Sequence, residues 1–323
     1  MTVTLRAFAV ICMIMAGVAP PAAAEYPEQP IRLVLQFAPG GETDPLARTL
    51  SQTASKGLGQ PIVIENRPGA AGNIAFDLVA KGPKDGYTLL WGFSTPMVVN
   101  PSMYKNMPFS VERDFVPIAL VAEGQFVLVV NPSVPAKSVK ELIDYAKANP
   151  GKLTYASTGV GSPLHLAGEL FMARTGIKML HVPYKSGGDT ARAVLAGETD
   201  LVFGSISASK ANIDAGKVRA LAVSGPKRMS ILPDMPTIEE AGLPGFVVTA
   251  WHSVLAPAGT PKPVVEKLQR EFAKALAAPE LKETMDKQGL LPNAGTPDTF
   301  FDRVRKEEAM WRKVIQDANI KAE

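Results

Sequence analysis

Residues 115–131 read FVPIALVAEGQFVLVVN. The run is apolar and β-branched almost throughout, but it is too long for an ordinary strand and carries Glu123-Gly124 at its middle. This predicts a strand that leaves one domain and enters a second, with the hinge near residues 123–125. A second extended run, residues 246–257 (FVVTAWHSVLAP), pairs with it. Two crossings imply one domain inserted within another and joined by a flexible waist. The expected lobes are residues 25–123 with 251–323, and residues 124–250.

Before the first crossing, residues 31–48 read IRLVLQFAPGGETDPLAR. Ile31, Leu33, Val34, Leu35 and Phe37 make an apolar run of the kind buried on both faces in a parallel sheet. It ends at Ala38-Pro39-Gly40-Gly41, after which Leu46, Ala47 and Leu50 fall on one helical face. A strand, a glycine turn and a helix aim bare backbone N–H groups at one point. Adjacent glycines let a ligand approach the main chain, and the helix adds its unpaired amides and positive dipole end. The natural guest is an anion; a tight turn without ligand is the other reading of the same residues. The turn is neither a dinucleotide fingerprint nor a phosphate loop.

Strand and helix patterns then alternate. Residues 61–65 (PIVIE), 87–92 (YTLLWG), 153–156, 179–184 (MLHVPY), 200–203 and 218–224 read as strands. Helical spacing separates most of them. Such alternation implies βαβ units, a parallel sheet, and ligands at the carboxyl ends of the strands. Ser94 and Thr95 leave the third strand there and offer hydroxyls to a ligand or to a local turn. Ser138-x-x-Glu141 is a capping box that opens a helix. Thr260-Pro261, Ala278-Pro279 and Thr296-Pro297 each read as a cap followed by proline in a helix's first turn.

A second glycine turn, Ser157-Thr158-Gly159-Val160-Gly161-Ser162, also runs from a strand into a helix. The paired turns predict an anion held between Gly40-Gly41 and residues 159–162. His165 sits in the first turn of that helix, where a lone histidine more often packs or caps than catalyses. His181 lies inside a strand and reads as core. Lys185-Ser186-Gly187-Gly188-Asp189 is a third polar glycine turn, and Gly204-Ser205 ends a further strand.

The ends and the composition narrow the class. Arg6, the apolar stretch 7–18 and Ala22-Ala23-Ala24 read as a secretory signal peptide over residues 1–24. Removing those 24 residues from 323 leaves 299, one large or two ordinary domains. The single cysteine, Cys12, falls in this leader, so the expected mature chain has no disulfide, thiolate nucleophile or cysteine metal site. An export signal without disulfides suits a periplasmic protein. The formal charge of +3 comes with no basic cluster interleaved with aromatics, so nucleic-acid binding has no support. A hydrophobic content of 46% excludes a disordered chain.

Several stretches resemble one family: YPEQPIRLVLQFAPGGETDPLAR, GQPIVIENRPGAAGNIA, GPKDGYTLL, LTYASTGVGSPLHLAGELF, HVPYKSGGDTARAVLAGETDLVF and LAPAGTP. They look like the Bug-type extracytoplasmic solute receptors, the TctC-related substrate-binding proteins of tripartite tricarboxylate transporters. The resemblance runs from about Tyr26 to the C-terminus. It implies an α/β, type II periplasmic binding protein fold: two lobes, a two-strand hinge and a ligand cleft between them. It also implies a small carboxylate as ligand, a membrane transporter as partner, a monomeric receptor, and no cofactor. Residue by residue, it implies a first-lobe carboxylate loop at Phe37, Ala38, Pro39, Gly40, Gly41, Thr43 and Asp44. Ser94, Thr95 and Met97 would flank that loop. The second-lobe anion site would be Ser157, Thr158, Gly159, Gly161, Ser162 and His165. Lys185, Ser186, Gly187, Gly204 and Ser205 would complete the wall. Glu42 would repel a carboxylate and is expected to face solvent.

Two other functions compete. An exported hydrolase would need a serine with a nearby histidine and acid, and no G-x-S-x-G elbow exists. A metal-binding receptor would have to use oxygen ligands, because three scattered histidines make no typical zinc set.

Overall fold

The computed structural model describes residues 26–39, 43–293 and 295–321. The expected leader, Gly40, Gly41 and Glu42 therefore lie outside the described residues. In chain order the elements are β1 (Ile31–Leu35), α1 (Thr43–Leu58), β2 (Ile62–Asn66), α2 (Asn73–Ala80) and β3 (Thr88–Phe93). Two short helices, α3 (Asn100–Met103) and α4 (Val111–Asp114), lead into β4 (Phe115–Val130). Then come α5 (Val139–Ala148), β5 (Thr154–Ser157), α6 (Pro163–Thr175), β6 (Leu180–Pro183), α7 (Gly187–Ala196), β7 (Leu201–Ser205), α8 (Ile206–Asp214) and β8 (Arg219–Val223). The chain closes with β9 (Thr249–Pro257), α9 (Lys262–Leu276), α10 (Pro279–Gln288), β10 (Leu290–Pro292) and α11 (Phe300–Asp317).

Local chemistry accounts for these elements. In α1, Leu46, Ala47, Leu50, Ala54 and Leu58 recur at helical spacing and all are buried. In α5, Ser138 Oγ accepts from the Glu141 amide while the Glu141 carboxylate accepts from the Lys137 amide. That arrangement satisfies helix-end donors much as a capping box does. Of the three cap-proline pairs, Pro279 does open α10, and Thr296 caps a 3₁₀ turn before α11. Thr260 instead turns its hydroxyl back to the Pro257 carbonyl and caps nothing.

The sheet shows how the crossings work. In its first half, β2, β1 and β3 pair in parallel. β9 lies antiparallel between β3 and β4, with Phe115 opposite Pro257 at one end and Gln125 opposite Thr249 at the other. Beyond Gln125 the same strand changes neighbours. Residues 126–130 of β4 pair antiparallel with β7 and residues 127–130 with β8, and β7 continues in parallel to β5 and β6. One strand thus belongs to two half-sheets, and the partner change falls at Gln125 and Phe126. The chain returns where the Val248 amide bonds the Ser224 carbonyl, just before β9 begins. The short strand β10, not expected from the sequence, pairs with residues 122–124 of β4.

Helix α11 spans the junction. It packs on α6 and on residues 95–103, and it reaches both crossing strands through Arg303. That guanidinium stacks 4.7 Å from the Trp251 ring centroid, bonds Glu307 at 2.7 Å and pairs with Glu123. Trp251 Nε1 donates to Glu307 at 2.7 Å. Burial pushes the Glu307 carboxyl up, and Arg303 opposes that shift. Removing Arg303 leaves two acids near each other in a largely closed space. Arg303→Met is therefore expected to lower unfolding free energy by about 3 kcal/mol, read as a lower urea midpoint at unchanged slope. A midpoint within experimental error of the parent would remove this clamp from the account.

Candidate functional site

Two adjoining cavities lie where the half-sheets meet. The larger, about 710 Å³, is lined from the first half by Phe37, Ala38, Pro39, Thr43, Phe93 and His252. From the second half come Thr158, Leu164, Lys185, Ser186, Gly187 and Ser205. Gly124, Gln125 and Phe126, at the partner change in β4, and Ala250 of β9 also line it. The smaller cavity, about 460 Å³, has Ala71, Thr95, Asn100 and Tyr104 facing residues 158–162. Thr158 lines both. The lining of the larger cavity is largely apolar with a few placed polar groups, the usual character of a small-molecule site.

The local turns explain the polar groups. Gly161 adopts φ 75°, a left-handed value that glycine takes without strain, and its amide donates to His165 Nδ1 at 3.2 Å. Across the smaller cavity, Ala70 and Ala71 hold φ values of 47° and 50°. Such values are uncommon for non-glycine residues. Asn100, buried, fixes that turn by donating to the Ala71 carbonyl and to Asn73 Oδ1. Lys185 is exposed on the wall of the larger cavity, and its amine meets no acid among the described residues.

Of the residues expected to contact ligand, Phe37, Ala38, Pro39, Thr43, Thr158, Lys185, Ser186, Gly187 and Ser205 line the larger cavity. Thr95, Gly159, Gly161 and Ser162 line the smaller one. The structure places six others behind the walls. Asp44 is claimed by Arg48, one turn along α1, at 2.8 and 3.2 Å. Ser94 is buried and accepts from the Trp251 amide. Met97 and Gly204 are enclosed. Ser157 is fully buried, with its hydroxyl 2.5 Å from His181 Nε2 and bonded to Gly159.

His165 belongs to a buried cluster rather than to a lining. Its ring lies 4.2 Å from that of His181, and its Nε2 is 3.5 Å from Glu169, which accepts from the Tyr155 hydroxyl. Burial, with His181 nearby, pulls the His165 pKa down to about 4, and burial pushes the Glu169 carboxyl up. The Ser157–His181 contact has the distance of a nucleophile–base pair. However, the serine is sealed from any substrate, and no carboxylate is bonded to His181 among the described residues, so the geometry gives the hydrolase reading no support. No cluster of three or more potential metal ligands occurs among the described residues. Sequence reasoning missed Asn100, Tyr104, Phe93, Phe126 and His252. For His252 the signal in the sequence was one ionisable ring inside an otherwise apolar strand.

Residues 46–320 match the family model described as "Tripartite tricarboxylate transporter family receptor". The chain belongs to that family. It is similar to "Protein BugT" of Bordetella pertussis, at 37% identity over 308 residues, covering 95% of this chain and 94% of that one. It is also similar to the solved structure "R. palustris Rpa4515 with adipate", at 37% identity with a TM-score of 0.80, covering 92% and 100%. A further likeness is to "MatC (Rpa3494) from Rhodopseudomonas palustris with bound malate", at 31% identity with a TM-score of 0.75, covering 90% and 100%. The tripartite tricarboxylate receptor fold is thus the α/β binding-protein fold expected from the sequence, and the Bug-type resemblance holds. Among the described residues no helix is long and apolar enough to cross a membrane.

The buried histidines of this receptor set a pH response. His165 and His252 both titrate near 4 in the folded chain because burial disfavours their charged forms. Unfolded histidine titrates near 6.5. Between these values the unfolded chain binds more protons at these two groups, so the stability they contribute is complete above about pH 6.5 and falls as pH drops toward 4. Urea unfolding at pH 7.5 and pH 5 should differ by about 2 kcal/mol per histidine. His165→Gln should flatten that dependence; an equally steep profile in the variant would exclude His165 as its source.

Proposed function

We propose that this chain is a periplasmic solute receptor that binds a small carboxylate between two closing lobes and presents it to a tripartite tricarboxylate membrane transporter. The lobes are residues 25–123 with 251–323, and residues 124–250. The observation that carries this reading is the larger cavity. It lies at the partner change of β4, draws its walls from both half-sheets, and has on one wall the uncompensated Lys185. Next to Lys185, Ser186 caps α7 and Gly187 opens it, so free helix-end amides face the same region. A cation beside helix-end amides favours an anion.

Two solved proteins of similar fold are described with acids, one with adipate and one with bound malate, which supports the same ligand class here. The outer lining supplies contact area, and closure would strengthen each polar contact by excluding water. Among the described residues no group on the walls is arranged for covalent chemistry, which fits capture and release by a monomer. Gly40 and Gly41, outside the described residues, stay in this proposal as the amide-bearing end of the first-lobe loop.

A thermal-shift screen of the secreted protein against adipate, malate, benzoate, nicotinate and glutamate, followed by calorimetry, tests the reading. At least one acid should raise Tm, and Lys185→Gln should weaken its binding about tenfold, the value of one charge-assisted hydrogen bond. Stabilisation by sugars or metals with none by acids would sink the proposal.

A further inference from the structure

The floor of the larger cavity carries one titratable side chain that the carboxylate reading leaves unused, His252 of β9. Successive residues of a strand point to opposite faces. His252 therefore turns away from Trp251, which stacks under Arg303, and onto the cavity side of the sheet. Its cross-strand neighbours there are Phe93 on β3 and Ala122 on β4. Two residues along, Ala250 lies opposite Gly124, and both line the cavity. Neither has a side chain large enough to cover the imidazole.

Trp91 Nε1 lies 3.1 Å from His252 Nδ1. An indole N–H can only donate, so Nδ1 accepts and the proton of the neutral ring sits on Nε2. Nε2 has no hydrogen-bond partner among the described residues, yet it is not one of the sealed polar atoms that lack a partner. On a ring that lines the cavity and is only 6% exposed, it is the atom that reaches the opening. A second proton would have to go on Nδ1, where it would face the Trp91 N–H. Burial alone already pulls the His252 pKa down to about 4. The ring is thus fixed as an uncharged donor.

Charge balance decides what this donor can meet. Among the described residues, Lys185 is the sole formally charged residue on the walls of the larger cavity. The elements around the ring bring no other charge to it. β3, β9 and β10 contain no acid or cation apart from His252 itself. Glu123 of β4 lies on the other face with Arg303, Asp44 of α1 is held by Arg48, and α10 sends only Gln288 to the lining. A monoacid brings one negative charge, which Lys185 answers. A diacid whose far end reaches the floor brings a second, into an aromatic enclosure without a cation. Burial of that kind disfavours the carboxylate and favours the neutral carboxyl group.

We propose that His252 makes capture of a diacid proton-linked: the carboxyl group that reaches the floor takes one proton from solvent and binds as the neutral acid, its carbonyl oxygen accepting from Nε2–H. This rests on the receptor reading above and narrows the ligand to the singly charged form of a diacid. Its carboxylate end meets Lys185 on the second lobe and its acid end meets His252 on the first.

Calorimetry on the parent protein tests this with adipate, hexanoate and adipamate, in buffers of different ionisation enthalpy, and with succinate, butyrate and succinamate as a shorter set. Near pH 7 a diacid should bind with uptake of about one proton, and its affinity should fall about tenfold per pH unit between pH 6 and 8, the linkage slope for one proton. The plain monoacid and the amide acid, whose carboxamide stands in for the neutral carboxyl group, should bind without uptake. His252→Phe should weaken adipamate about tenfold, the value of one hydrogen bond. Because that variant strips Trp91 of its acceptor, His252→Asn, whose Oδ1 can take the Trp91 bond, should show the same loss. In protein with ¹⁵N-labelled histidine, the His252 signal should keep the Nε2–H tautomer from pH 5 to 8, with and without adipate. Diacid binding without proton uptake, binding of monoacids but no diacid, or an Nδ1–H or imidazolium signal at His252 would overturn this inference and leave the receptor reading intact. Binding of no acid at all would overturn both.

Discussion

The antiparallel ladder between β4 and β9 is the contact on which the rest of the molecule depends. Residues 115–125 pair along β9, and residues 126–130 of the same strand pair with β7 and β8. The backbone around Gln125 therefore sets how one half-sheet meets the other. The same residues floor the larger cavity. Any change in the angle between the halves would reshape the cavity at its base, through covalent continuity of the strand rather than by a distant relay. Helix α11 adds a brace, because Arg303 grips Glu123 on one crossing strand and Trp251 on the other.

The chemistry of the cavity follows from where its polar groups come from. Charge is supplied at an edge, by Lys185 and a helix start, where solvent access makes an unpaired cation inexpensive. Among the described residues, the floor, buried among aromatic rings, carries neutral polar groups such as the His252 imidazole. An ionised group there would cost far more than a neutral imidazole or amide. The buried cluster of Tyr155, His165, Glu169 and His181 stands one layer behind. It shapes the residue 157–162 turn through Ser157 and His165 without facing the cavity.

Much of this architecture is legible in the order of the residues. The unusual length of residues 115–131 and the glycine at its middle point to a strand shared between two halves. The alternation of strand and helix points to parallel βαβ units, which hold at both ends of the sheet, while β4 and β9 at its centre pair antiparallel against that expectation; the turns after β1 and β5 supply lining at residues 37–39 and 158–162. Family motifs spread over most of the chain then narrow the class to solute receptors. Asp44 is also open to placement from sequence, since an acid one turn before Arg48 on a helix has a ready partner. The others placed behind the walls are less accessible. Ser157 is occupied by His181, 24 residues away, only because β5 and β6 pair in register.

The amino-acid sequence by itself determined most of the longer elements, their order, the two crossings and the family, because these follow from local periodicity, turn chemistry and motif order. Tertiary structure alone decided which polar side chains face the cavity and which are consumed within the wall. Periodicity assigns a residue to a face of its strand or helix, but what that face meets depends on neighbours far away in the chain. His252 shows the difference: its place in an apolar strand is plain from sequence, while its tautomer and its open donor exist only because Trp91, 161 residues earlier, arrives beside it.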